Sequence, residues 1–312
     1  MFTPNFTFRP AEAGDFDSWP DLLPAGSMAP ELPPSLPGLW AALLEEGAME
    51  ARTIVSDADG DSVEAFGASV FLRPGVLDTF HGLSRPRFAE WIYRSLLAGE
   101  TPLLSGRELA RANARDGLDV CVLHFCQRLN DLNDPLGQQL LALGHAAFRD
   151  AHEGYNLNTV VHETFGGTHR DFLLAGGFEL LREFSDEAGP SCLVAMTRAR
   201  SAELVTGSPI SLLFHSSQPR YYFSPSERRV LRAALAGQTD KDAARRLGIT
   251  PDAVKKAWRS VFERMEAFHG QQLIGDEVRG RRRSLLEYLR QHPEELRPYE
   301  RPPGWPKQLL RN

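Results

Sequence analysis

Between residues 224 and 268 the chain marks the ends of three short helices, with so few residues between them that a compact helical unit is the only fold that fits. Ser224-Pro225-Ser226-Glu227 places a capping serine before a proline at the first helical position, with a glutamate three residues after the serine: a capping box. The first helix is predicted to run to Ala236, where Gly237 stops it, and Val230, Leu231, Ala234 and Leu235 give it an apolar face. Thr239, followed three residues later by Asp242, opens a second, shorter helix that Gly248 closes. Thr250-Pro251 opens the third, on which Val254, Val261, Phe262 and Met265 form an apolar stripe while Lys255, Lys256 and Arg259 lie off it. The connection Gly248-Ile249-Thr250 is the tight turn of a helix-turn-helix. Ala243 and Ala244 are small enough to let the second and third helices approach closely, and Ile249 plugs the corner between them.

Charge separates this segment from what precedes it. The chain of 312 residues has only four lysines, the first of them Lys241, and three fall between Lys241 and Lys256. Up to residue 218 there are 15 basic and 29 acidic side chains, a net charge of -14; beyond it there are 20 and 12, a net charge of +8. Such asymmetry suggests that the basic end meets a polyanion while the acidic end does another job. A helix whose first turns carry Lys255, Lys256 and Arg259 suits a major groove about 12 Å wide. Trp258, on the same helix, is read as a packing residue.

These residues match a family. FSPSERRVLRAALAGQTDKDAARRLGITPDAVKKAWRSVFERM, residues 223–265, resembles the LuxR-type helix-turn-helix of bacterial transcription regulators almost end to end. The resemblance implies a four-helix DNA-binding domain whose third helix reads the major groove and whose fourth pairs two copies. On that carry-over Lys255, Lys256 and Arg259 face DNA, Lys241 and Thr250 sit near phosphates, and Arg245 and Arg246 complete the candidate DNA-binding set. Two positions depart from the family pattern: Ala253 stands where a threonine is common, and Ala257 where a histidine is. Downstream, EVRGRRRSLLEYLRQH reads as a further helix with Leu285, Leu286 and Leu289 on one side, a candidate dimerising face, and an arginine cluster from Arg279 to Arg283 placed to grip phosphate.

The first two hundred residues alternate strands and helices, an α/β sandwich around one sheet. Strands are expected at Phe6–Arg9, Ala51–Ser56, Val63–Leu72, Leu118–Arg128, Leu157–Thr164, Phe178–Glu183 and Cys192–Arg198. Helices are expected to begin at Asp15 and to span Leu36–Glu46, Arg87–Leu97, Gly137–Tyr155 and Thr168–Ala175. That order, with GTHRDFLLAGGFELL near its end, is similar to the GNAT acyltransferase fold. The family's phosphate cradle would fall on Asn133 to Leu140, but Gln139 stands where a small residue should let backbone amides approach pyrophosphate. The family's tyrosine general acid falls on Leu173. The domain is therefore expected to keep the fold as a sensor without enzymatic activity; an acyltransferase carrying a DNA-targeting module is the alternative.

Cys121, Cys126 and Cys192 have no disulfide-framework spacing, the N-terminus lacks a signal-like pattern, and no apolar run is long enough to span a membrane, so a cytoplasmic protein is expected. His145, His152, His162 and His169, with Glu163 nearby, are read as hydrogen-bonded or surface groups; neither a metal site nor a cofactor is expected. The resulting expectation is an α/β (GNAT-like) sensor domain over 1–200, a linker over 201–221, an all-α LuxR-type helix-turn-helix domain over 222–292 and a proline-rich tail over 293–312. Its expected partners are double-stranded DNA, a small-molecule effector and a second copy of the chain, with RNA polymerase a further candidate and no membrane.

Overall fold

The computed structural model describes residues 5–24, 27–57, 62–81, 87–186, 189–204, 210–269, 278–303 and 305. The chain divides into two compact units: Met1–Leu109, Gly117–Glu153 and Leu157–His215 form the first, and Ala110–Asp116, Gly154–Asn156 and Ser216–Asn312 the second.

The first unit is a mixed α/β sheet. Its elements in chain order are β1 (Phe6–Pro10), α1 (Leu36–Glu45), β2 (Met49–Ser56), β3 (Ser62–Leu72), α2 (Val76–His81), α3 (Phe88–Leu97), α4 (Gly106–Ala114), β4 (Leu118–Gln127), α5 (Pro135–His152), β5 (Leu157–Phe165), α6 (Gly167–Ala175), β6 (Glu179–Asp186), β7 (Gly189–Thr197) and α7 (Arg198–Glu203). The α4 helix straddles the division, its residues from Ala110 onward being counted with the second unit. The strand order is β1-β2-β3-β4-β5-β7-β6. All neighbours are antiparallel except β4 and β5, whose parallel pairing runs from Leu118↔Leu157 to Val122↔His162 and stops there although both strands continue. Opposite that point the β3–β4 register shifts between Ala68 and Ser69, an irregularity that bends the strand beside the split.

One face of the sheet is sealed by aromatics. Trp19 and Phe66 stack at 4.2 Å between ring centroids, Trp40 lies 5.2 Å from Trp19, and all three are fully buried. Each such burial is worth about 1.5–3 kcal/mol in area removed from water. On the other face α5 crosses β1, β2 and β3, with Leu140 packed against Phe6, Ile54 and Ala65. The helix expected to start at Asp15 is instead a pair of 3-10 turns, Ala13–Asp15 and Trp19–Leu22. The Asp15 carboxylate is held by both terminal nitrogens of Arg9 and by the Thr53 hydroxyl, which pins the chain, and Pro20 removes a backbone donor. Three helices, α2, α4 and α7, were not anticipated; α4 has only Leu109 and alanines to mark an apolar face, too sparse a pattern to read.

The second unit contains α8 (Pro225–Leu235), α9 (Asp240–Arg246), α10 (Pro251–His269) and α11 (Val278–Gln291), followed by a 3-10 turn at Pro293–Leu296. Both N-terminal caps are made as the sequence implies: the Ser224 hydroxyl accepts from the Glu227 amide, and the Thr239 hydroxyl from that of Asp242. The core joins Tyr221, Phe223, Leu231, Val254, Trp258 and Leu289. The proline-rich region after residue 292 folds back at its start. Leu296 enters the core, and the buried Glu295 carboxylate accepts from the amides of Arg220 (2.7 Å) and Tyr221 (3.0 Å) and from the Tyr288 hydroxyl (3.0 Å).

Candidate functional site

The turn between α9 and α10 sets up the first candidate surface. Gly248 adopts a positive φ of 63°, which ends α9, and the Ile249 amide closes the corner on the Ala244 carbonyl at 3.0 Å. Ala243 and Ala244 are each 3% exposed, so the two helices do meet through small side chains. The Thr250 hydroxyl caps α10 by accepting from the Ala253 amide at 3.1 Å, leaving its own proton to donate outward. Along α10, Val254, Trp258, Val261 and Met265 are buried.

Lys255, Lys256 and Arg259 project from the opposite side and are exposed, as are Lys241, Arg245 and Arg246 on α9 and Thr250 at the turn. Lys255 pairs with Asp252 at 3.2 Å and Arg245 with Asp242 at 3.0 Å; both are exposed local pairs that water screens, little obstacle to a competing phosphate. Lys256 and Arg259 make no ion pair among the described residues. Of the two departures from the family pattern, Ala253 is exposed and Ala257 packs against the core.

What the sequence did not reveal is how α10 is held from behind. Glu227, read only as a capping residue, also accepts from the Ser260 hydroxyl at 2.6 Å and the Arg264 guanidinium at 3.2 Å, so one buried carboxylate joins the start of α8 to two turns of α10. Burial alone would raise its pKa, but Ser260, the Ser224 amide and Arg264 together hold it below the usual carboxylate value. Two arginines of the α11 cluster are also committed to the protein, whereas Arg283 is exposed. Arg281 pairs with Glu266 at 2.8 Å, while Arg282 pairs with both oxygens of Asp240 at 3.0 Å and lies 4.3 Å over the Trp258 ring. Those two arginines therefore do not present themselves as phosphate ligands; the Arg279 side chain lies outside the described residues. The leucine face of α11 is likewise spent internally, since Leu285 and Leu289 are each 1% exposed in the core of their own domain.

In the first unit the β4–β5 split lies beside two cavities. The larger, about 520 Å³, is lined by β2–β5 and by α5 and α6; the smaller, about 290 Å³, lies toward Phe88 and Glu163. Val122, His124, Phe125, His162 and His169 border both. Tyr93 accepts from the Trp40 indole at 2.9 Å and stands 2.7 Å from Nε2 of His124, a buried chain in which desolvation lowers the His124 pKa to about 3. Glu163 is a structural acceptor: its carboxylate receives the amides of Arg87 and Phe88 at the start of α3 and the Ser191 hydroxyl, and burial raises its pKa. His152 is occupied as well, with Ser69 and the Phe148 carbonyl as partners at 2.7 and 2.8 Å. Among the described residues no group of three His, Cys, Asp or Glu side chains gathers as a metal site.

The start of α5, where the phosphate cradle was expected, is filled by its own chain. The Asp134 carboxylate caps the helix by accepting from the Leu136 amide at 2.9 Å, and a side chain on Gly137 would overlap the Asp131 carbonyl. The glycine thus admits a neighbouring stretch of backbone. Gln139 is exposed, and Leu173 lines the larger cavity.

Comparison with known proteins agrees with this architecture. Residues 222–275 match the GerE family model, described as bacterial regulatory proteins, luxR family, and form a helix-turn-helix domain of that kind. No curated protein sequence matches the chain. Among solved structures, a variant of the spermidine N-acetyltransferase SpeG from Vibrio cholerae is 9% identical, with 62% of this chain and 93% of that one covered at a TM-score of 0.37. AAC(6')-Ib, solved with ribostamycin and coenzyme A, is 13% identical, with 65% and 98% covered at a TM-score of 0.35. FdhC, a nucleotide-linked sugar GNAT, is 8% identical, with 64% and 90% covered at a TM-score of 0.34. The expectation of a domain without enzymatic activity is corrected by these neighbours, which include a spermidine N-acetyltransferase and a nucleotide-linked sugar GNAT. At these identities the likeness concerns fold alone. Among the described residues no helix is long and apolar enough to cross a membrane.

Proposed function

We propose that the chain is a transcription regulator in which α10 enters the major groove of double-stranded DNA and the α/β unit binds a small-molecule effector that biases DNA binding. The observation that carries the DNA reading is the division of α10 into two sides. One is locked into the domain by Val254, Trp258 and the Glu227–Arg264 pair, while the other presents Lys255, Lys256 and Arg259 to solvent. In this reading Lys255 and Arg259 contact base edges, each contact discriminating by about 1–3 kcal/mol, and Lys241, Arg245, Arg246, Lys256 and Thr250 bind backbone phosphates.

The effector reading is supported by a cavity of about 520 Å³, within the range of ligand pockets, in the unit that carries the acidic excess. An effector can shift DNA binding only if it binds the DNA-competent and incompetent arrangements with different affinity. Two copies on a two-fold DNA site are part of the proposal, but their contact has to use surfaces other than Leu285 and Leu289, which the domain core already holds.

Selection from a random duplex library with the full chain, followed by footprinting, tests the reading. Recovery of a protected, repeated half-site supports it; recovery of no enriched sequence at salt where non-specific binding is weak contradicts it.

A further inference from the structure

The larger cavity has a composition that selects for a particular chemistry. Its floor is made of small and apolar groups on the sheet, among them Ala51, Ala68 and Val122, and its roof of Ala147 on α5 and Leu173 on α6. The α6 helix buries none of its side chains, and Phe172 remains 39% exposed, so the helix borders the space without filling it. The charged groups at the edge are Glu50, Arg52 and Arg149. Arg52 is already engaged by Glu50 at 3.4 Å and Asp150 at 2.9 Å, and Arg149 is exposed to water.

His162 supplies the polar element. Its Nδ1 lies 3.2 Å from the Val122 carbonyl, on the last pair before the strands separate. A carbonyl only accepts, so Nδ1 carries the proton and Nε2 of the neutral ring is an acceptor, with no protein partner among the described residues. The ring stays neutral at ordinary pH: burial brings its pKa down to about 4, partly opposed by the Val122 carbonyl and aided by His169. His145, exposed and stacked 4.9 Å from Phe172, and the half-buried His169 complete the wall, and desolvation pushes the pKa of each down.

We propose that this cavity binds an uncharged, mostly apolar molecule carrying one hydroxyl or N–H group that donates a hydrogen bond to Nε2 of His162. The proposal rests on the reading of the amino-terminal unit as an effector-binding domain and names the chemistry of its ligand. Arg52 is already paired with Glu50 and Asp150, so an ionised headgroup entering the cavity would have to displace one of these carboxylates or stay at the water-exposed Arg149.

The test uses the full chain and two probes of nearly equal size, 1-naphthol and 1-methoxynaphthalene, titrated by calorimetry. One naphthol per chain is expected, bound at least ~10-fold more tightly than the ether, because the ether brings no donor to Nε2 of His162. His162→Phe should abolish that preference. Leu173→Trp, which fills the space from a half-buried position, should weaken both probes while thermal unfolding remains cooperative. Equal affinities for the two probes, binding unaffected by Leu173→Trp, or competitive displacement of naphthol by coenzyme A would each overturn the assignment. If naphthol binds as expected yet leaves affinity for the selected duplex unchanged, the cavity assignment is supported and only its regulatory role is overturned.

Discussion

The Arg264 guanidinium reaches the Glu227 carboxylate at 3.2 Å with the side chains 6% and 5% exposed, so the helix proposed to read DNA is fixed to α8 by a buried ion pair. Two further Arg264 nitrogens, Nε and Nη1, have no hydrogen-bond partner among the described residues. Such a pair costs more to break than it contributes when whole. Glu227→Gln or Arg264→Met alone should destabilise the domain by about 3–5 kcal/mol, because each leaves a buried charge uncompensated. The double variant Glu227→Leu/Arg264→Met should lose less than the two single losses combined. Chemical denaturation followed by Trp258 fluorescence measures all three, and additive losses would contradict the coupling.

Acid should undo the same contact. The folded pKa of Glu227 lies below its unfolded value of about 4.3, so its stabilising contribution is complete above that value and disappears as pH falls through the folded pKa. The contribution of Glu227 should therefore be lost below about pH 4, and the fall in the thermal midpoint of the domain there should be reduced in Glu227→Gln. A midpoint equally acid-sensitive in the variant would show that other carboxylates carry the effect.

Arg282 distinguishes a packing arginine from a phosphate ligand. Arg282→Ala removes the Asp240 pair and the cation over Trp258, and should cost about 0.5–2 kcal/mol of stability. The slope of log affinity for DNA against log salt should not change. A slope reduced by about one would return Arg282 to the phosphate-binding set.

A glycine on α5 gives a steric test of the first unit. A side chain on Gly144 would overlap the Phe125 ring, which lines the larger cavity. Gly144→Ala should cost about 1–3 kcal/mol, the usual range for overpacking, measured as a shift in the unfolding midpoint of the full chain. An unchanged midpoint would mean that Phe125 moves aside freely.

Features with local causes were legible in the sequence. The starts of α8, α9 and α10 follow from Ser224, Thr239 and Thr250, because a cap is specified by a few adjacent residues. All seven residues assigned to DNA are exposed, and the order of strands matches the one expected. Features set by distant residues were not legible. Glu227 looked like a cap because its neighbours in sequence make one; its pairing with Arg264 depends on how α8 and α10 cross. The leucines of α11 looked like a dimer seam because their periodicity is the same whether they meet another copy or their own domain. Sequence order places the phosphate cradle on Asn133 to Leu140, and only the fold reveals the Asp131 carbonyl packed against Gly137 there. The neutral His162 acceptor depends on a carbonyl in the adjacent strand, at a register no spacing rule supplies.

The central claim is that the outer side of α10 binds DNA. Fluorescence anisotropy with a selected duplex, measured across a salt series for the full chain and for Lys255→Ala, Lys256→Ala and Arg259→Ala combined, tests it most directly. The account predicts an affinity loss of at least ~100-fold and a salt slope smaller by about one to three, with the unfolding midpoint unchanged. Equal affinity and equal slope in a folded triple variant would contradict it.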